Sequence, residues 1–135
     1  MPTTPLPNPL FRDIHWSFTE PVPSSPEAMV MAAEDYAESI EVESPALALR
    51  SALPFSSVSV RYKHSVRRPD GEWEDQHHTL QVSSHAGPLT GAALLWELHI
   101  AWQATVGSDD HRYFEGLELL DGSLAEPQYE LCLGS

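Results

Sequence analysis

Two alternating runs joined by a tight turn constrain this chain more than any other feature. Val58, Val60 and Tyr62 alternate with Ser57, Ser59, Arg61 and Lys63, and Leu80 and Val82 alternate with Thr79 and Gln81. A repeat of two marks a strand buried on one face. Between the runs stands Arg68-Pro69-Asp70-Gly71. Proline suits the first corner of a type I turn, and glycine supplies the left-handed residue of the bulge that follows. Closing the turn with Arg68 opposite Glu72 sets Val58 against Val82, Val60 against Leu80 and Tyr62 against His78. A slip of one residue would turn one strand's apolar set to the wrong side. Turn chemistry and apolar pattern agree on one register, and that agreement across levels predicts the hairpin.

The same register lays out the other face. Arg61 opposes Thr79, Lys63 opposes His77, Ser65 opposes Asp75 and Arg67 opposes Trp73. Arg61, Lys63, Arg67 and Arg68 are four of the seven Lys and Arg residues, in a chain of formal charge −13. They form a local basic strip, with Arg67 placed to lie over the Trp73 ring. A tryptophan among bases on an open sheet resembles a platform for single-stranded nucleic acid. The overall charge opposes that, since a negative field repels phosphate backbones and anionic membranes. A contact with an acidic protein segment or a carboxylate ligand fits the strip equally well. The plainer account is that the strip neutralises the protein's own carboxylates, such as Asp75.

At 135 residues the chain has room for one core. Residues 1–12 are expected to be an extended proline-rich arm, loose by default, and residues 13–135 one domain. Ile14, Trp16 and Phe18 alternate with polar neighbours, which predicts a strand over 13–20 ended by Pro21 and Pro23. Ser24-Ser25-Pro26-Glu27 carries the hydroxyl cap, first-turn proline and early carboxylate of a helix start, so a helix is expected over 26–40. A loop over 41–56 follows, with a helical turn near Leu47 to Leu53. Thr90 as cap and Gly107 as stop bound a second helix over about 90–106. Residues 113–120 and 128–133 predict a final hairpin, with a bulge at Glu115-Gly116 that brings Phe114 and Leu117 into phase.

The faces of the two helices suggest partners. On the first, Met29, Ala32, Ala33, Tyr36, Ala37 and Ile40 share a side, while Glu27, Glu34 and Glu38 lie opposite with no base four residues on. Glu34 and Glu38 repel by roughly 0.2–0.5 kcal/mol. This acidic face is either simply solvated or a contact for a basic partner. On the second, Leu94, Leu95, Leu98, Trp102 and Thr105 form one apolar face, and Trp96 and Ile100 project to the other side. A helix apolar on two sides must be covered twice. The sheet is one cover. The other is the 41–56 loop or a second copy, and a homodimer through Trp96 and Ile100 is the expectation.

Signals of chemistry are weak. The chain has seven histidines and one cysteine. His77 and His78 are neighbours on a strand, so their side chains leave on opposite faces. Asp109, Asp110 and His111, with help from His99, are the weak candidates for a metal; a polar turn is the simpler account. Cys132 alternates with Leu131 and Leu133 and reads as a small strand residue. No phosphate-binding loop, dinucleotide fingerprint or nucleophile elbow is present. No cofactor and no catalytic residue are implied. No run approaches the roughly 18 apolar residues of a membrane span. The start of the chain lacks the basic and apolar blocks of a secretory signal, which with the lone thiol predicts a cytoplasmic protein.

The expected fold is α+β: an antiparallel-rich sheet of about five strands with two helices packed on it. Its element order, βαββαβ plus a C-terminal strand, resembles the split βαβ or ferredoxin-like architecture. That architecture hosts unrelated functions and implies none. The expected function is a small acidic protein acting by protein–protein contact, as inhibitor or immunity-type proteins do. Its candidate contact residues are Arg61, Lys63, Arg67, Trp73, His77, Glu27, Glu34 and Glu38. The alternative is a small-ligand or metal-binding protein or enzyme, using His78, His99 or His111 between helices and sheet.

Overall fold

The long hairpin forms in the register that turn and pattern demand. In a computed structural model describing residues 6–84, 87–107, 111–122 and 126–134, strand β2 (Ser57–Arg67) pairs antiparallel with β3 (Trp73–Ser83), with Val58 opposite Val82 and Tyr62 opposite His78. Arg68 N–H donates to Glu72 O at 2.7 Å, and Gly71 N–H donates to Arg68 O at 2.9 Å. Gly71 sits at φ +88°, where a side chain is strained. Asp70 Oδ1 accepts from Glu72 N–H and stiffens the corner.

The remaining elements are β1 (Trp16–Ser17), α1 (Pro26–Ser39), α2 (Ala46–Arg50), α3 (Gly91–Thr105), β4 (Tyr113–Asp121) and β5 (Gln128–Gly134). The sheet has five strands in the order β1-β4-β5-β2-β3. It is mostly antiparallel, with β5 running parallel to β2. The α+β class is therefore correct, but three helices form instead of two, and the ferredoxin-like order does not become a ferredoxin-like topology. β1 is a two-residue edge strand on β4, separated from β2 by both β4 and β5. The expected strand over 13–20 shortens because the chain turns at once: Glu20 N–H bonds Ser17 O, and Ser17 Oγ lies 2.8 Å from Thr19 Oγ1. Its alternation still holds, with Ile14, Trp16 and Phe18 all buried.

One face of the sheet carries the core. Val58, Val60, Tyr62, Val82, Tyr129 and Leu131 are buried there. Leu94, Leu95, Leu98 and Trp102 of α3 lie in the same apolar cluster, each contributing roughly 1.5–3 kcal/mol by burial. Tyr62 OH lies 2.8 Å from Thr105 Oγ1 and ties the hairpin to the end of α3. The helix starts are those the sequence signals. Ser25 Oγ accepts from Ala28 N–H and Thr90 Oγ1 from Ala93 N–H, each cap worth about 1 kcal/mol. The apolar face of α1 is rotated from the expected one. Val30 is buried, while Ile40 is 43% exposed and already past the last turn.

The arm is docked from Leu6 onward. Leu10 is buried and exchanges two backbone hydrogen bonds with Leu117, each 2.8 Å. Asn8 Oδ1 accepts from Leu119 N–H, and Tyr129 OH donates to Pro7 O. Burial raises the Tyr129 hydroxyl to about 12, so it stays a donor. The expected bulge is present between Phe114 and Leu117. Gly116 within it has φ +100°, and a Cβ there would stand 3.0 Å from Leu10 O and 3.1 Å from Arg12 Cα. Gly116→Ala combines backbone strain with collision against the arm. It is expected to lower stability by about 1–3 kcal/mol, read as a lower denaturant midpoint; an unchanged midpoint would show that the arm does not hold this position.

No helix of the described residues is long and apolar enough to cross a membrane.

Candidate functional site: a cleft where two parallel strands part

The backbone alternation of the hairpin decides where the site lies. Even-numbered residues of β2 bond to β3, as the Arg68–Glu72 bond begins. Odd-numbered residues therefore turn N–H and C=O towards β5. Ser59 N–H does so, donating to Pro127 O at 3.0 Å. The β2–β5 register runs only from Ser59↔Gln128 to Arg61↔Glu130. Past it β2 stays with β3 and β5 stays with β4, and the two pairs diverge. Between them opens a cleft of about 760 Å3.

Lys63, His64 and Ser65 of β2 form one wall, and Glu130, Leu131 and Leu133 of β5 the other. Trp73 and Asp75 reach in from β3, and His111 and Arg112 from the approach to β4. Lys63 and Trp73, two residues of the expected contact strip, thus line the same concavity. Trp73 is 66% exposed, with the Arg67 guanidinium 6.0 Å from its ring centroid. The Arg67–Trp73 contact is the one the register predicts.

The strip is less bare than its sequence suggests. Lys63 Nζ lies 3.8 Å from Asp75 Oδ2, and Arg68 Nη2 2.9 Å from Asp70 Oδ2. Ser65 Oγ donates to Asp75 Oδ1 at 2.9 Å. These ion pairs are about half exposed, so each is worth at most about 1 kcal/mol and can be exchanged for a partner's groups. Arg61 lies between Thr79 and Glu130 in register, and His77 is exposed opposite Lys63.

The acidic face of α1 is also partly met from within. Arg50 of α2 bonds Glu27 at 3.0 Å and approaches Glu34 at 4.0 Å. The expectation of a face without bases counted only helix neighbours and missed a cation 23 residues away in sequence. Glu38 is exposed on the same helix. These glutamates and the cleft residues belong to separate surfaces: Glu27 and Glu34 face α2, and the strip lies on the exposed face of the hairpin. Trp96 is likewise claimed by its own chain, donating its indole N–H to Pro23 O at 2.7 Å, with α1 packed on α3 beside it. The second cover of α3 is thus α1 and the 18–23 segment, not the 41–56 loop alone. Ile100 is 37% exposed.

His99 is a core residue, not a ligand in waiting. It is fully buried, and both ring nitrogens are engaged. Trp16 Nε1–H can only donate, so His99 Nδ1 accepts at 3.2 Å and Nε2–H donates to Phe18 O at 3.1 Å. This fixes a neutral tautomer. Burial pulls its proton affinity below the ordinary value of 6.5, against the raising effect of the Phe18 and Glu20 carbonyls. Its spacing from Leu95, Leu98 and Trp102 on one helical face was the available signal. His78 bonds His64, Nε2 to Nδ1, at 3.1 Å beneath Tyr62. Burial, then His64 and His77, lower its proton affinity. Asp109 and Asp110 lie outside the described residues. Among those described, no group of three or more His, Cys, Asp or Glu side chains is placed to hold a metal. Cys132 is held as a neutral thiol by burial and by Glu118, Glu130 and Glu115, which disfavours a nucleophile.

The comparisons return no match: no family model, no curated protein and no solved structure is similar to this chain.

The buried His99 makes stability depend on pH. Its proton affinity is lower folded than unfolded, so the unfolded chain binds more protons below 6.5. Stability from this group is complete above that pH and falls as pH drops toward the folded value. Replacing His99 by Leu orphans the buried Trp16 N–H, at a cost of about 1–3 kcal/mol. It is also expected to flatten the acid-side slope of a stability-against-pH curve; an unchanged slope would assign the loss to other groups.

Proposed function

We propose that the protein is a non-catalytic binding module that engages another protein through the cleft between β2 and β5. The observation that carries this reading is Trp73, a large aromatic two-thirds exposed at the rim of the cleft, backed by a guanidinium. Exposed aromatic and arginine side chains beside a pocket are the groups that most often dominate protein contacts. Lys63, Asp75, Arg112 and Glu130 supply both signs of charge around it. The β2 edge beyond Arg61 adds backbone N–H and C=O groups of the kind an extended segment can pair with.

The small-ligand and metal alternative has less support. His99 is spent on Trp16 and Phe18, and His78 is spent on His64. His111 alone of that set lines the cleft.

The test is parallel capture from the native host with wild type and Trp73→Ala, followed by binding measurements on whatever is retained. A protein held by the wild type and weakened by about 2 kcal/mol or more in Trp73→Ala, with unchanged thermal unfolding, supports the cleft. A partner bound equally by both forms places the contact elsewhere.

A further inference from the structure

Among the described residues, the last strand of the sheet, β3, has no strand on its outer side. It runs 11 residues, pairs on one side only and ends the sheet order. The backbone alternation that turns odd residues of β2 away from β3 acts on β3 as well. Its even residues are spent on β2, and Trp73, Asp75, His77, Thr79 and Gln81 turn N–H and C=O outward. Edges of this kind are normally blunted with proline, lysine, a bulge or a covering element. The chain contains 12 prolines, yet Trp73–Ser83 has no Pro, Gly, Lys or Arg. Its pairing with β2 is unbroken.

Charge identifies the occupant. The hairpin over 57–83 has four Lys and Arg and four Asp and Glu, so it is formally neutral, and the whole −13 lies elsewhere in the chain. Like surfaces of two copies therefore meet with the least net repulsion hairpin to hairpin. We infer that a second copy of this chain pairs with the first through β3, antiparallel and about a two-fold axis at His77, continuing one sheet across both. In that register His77 faces His77, Asp75 faces Thr79 and Trp73 faces Gln81. Each facing odd pair exchanges two hydrogen bonds. Glu74 lies across from Leu80 and Gln76 from His78. No carboxylate meets a carboxylate. A register centred two residues earlier would set Asp75 against Asp75. Two-fold pairing is isologous, so the assembly closes at two. The α3 surface, where Pro23 and α1 already cover Trp96, takes no part.

The experiment uses the outward-facing amide. His77→Pro removes an N–H that the monomer's ladder does not use, so the hairpin is retained. Thr79→Glu sets a carboxylate against Asp75 of the second copy without touching the backbone. Sedimentation equilibrium is expected to give a dimer for wild type, a dissociation constant raised about tenfold or more in His77→Pro, from the two hydrogen bonds lost at the axis, and one raised several-fold in Thr79→Glu, from the two facing carboxylate pairs. Amide exchange at Asp75, His77 and Thr79 is expected to slow as wild-type concentration rises. A wild type that remains monomeric overturns the inference. So does a dimer that survives Thr79→Glu with its amide exchange unchanged, or one abolished by Ile100→Lys. Trp73→Ala leaves the backbone edge intact. Loss of capture in that variant with the dimer retained separates this inference from the cleft reading.

Discussion

The register of β2 against β3 governs both the inside and the outside of this molecule. An unbroken ladder from Ser57↔Ser83 to Arg67↔Trp73 sends Val58, Val60, Tyr62 and Val82 to the core. The same ladder sends Arg61, Lys63, Arg67, Trp73 and His77 to solvent. Backbone groups are sorted by the same parity as side chains. The parity of the backbone groups that face outward from the hairpin follows from the Arg68–Glu72 bond that closes the turn.

The sheet is two hairpins joined by a short seam. β4 and β5 pair along most of their length, β2 and β3 pair throughout, and the two units share three residue pairs. Each two-stranded ribbon twists in the right-handed sense, and a seam that short does not hold twisted ribbons side by side beyond it. Parallel pairing contributes too, since its slanted bonds are slightly weaker per residue than antiparallel ones. The cleft is thus a consequence of topology. Its lining is what the odd face of β2 and the free end of β5 happen to carry there.

Local chemistry was legible; long-range pairing was not. The turn at Pro69 and Asp70, the caps at Ser25 and Thr90, the bulge at Gly116 and the Arg67–Trp73 contact all depend on neighbours close in sequence or set by one register. Residue types at short spacing report such features directly. The docking of Leu10 on Leu117, the reach of Arg50 to Glu27 and the parallel seam at Arg61 and Glu130 are not local, and nothing in the residues between specifies them. Element order suggested a ferredoxin-like arrangement because order alone does not say which strand sits at the edge. His99 is an intermediate case. Its place beside Leu95 and Trp102 was readable, but only the fold shows that Trp16 and Phe18 complete its hydrogen bonds.

Charge segregation connects these surfaces. Carboxylates crowd α1 and β4, and Glu115 and Glu118 of β4, with Glu130 of β5, help hold the Cys132 proton in place. The hairpin balances its own charge through Lys63–Asp75 and Arg68–Asp70. Self-neutralisation does not oppose the proposed contact at the strip, because a balanced, half-exposed ion pair costs little to rearrange. On a molecule with a strongly negative remainder, any similarly acidic body meets least repulsion at the hairpin. A basic group is attracted most strongly by the glutamates of α1 instead. The interval 57–83 differs from the rest of the chain in carrying no net charge, so contact by its exposed backbone and aromatic surface meets the least electrostatic opposition.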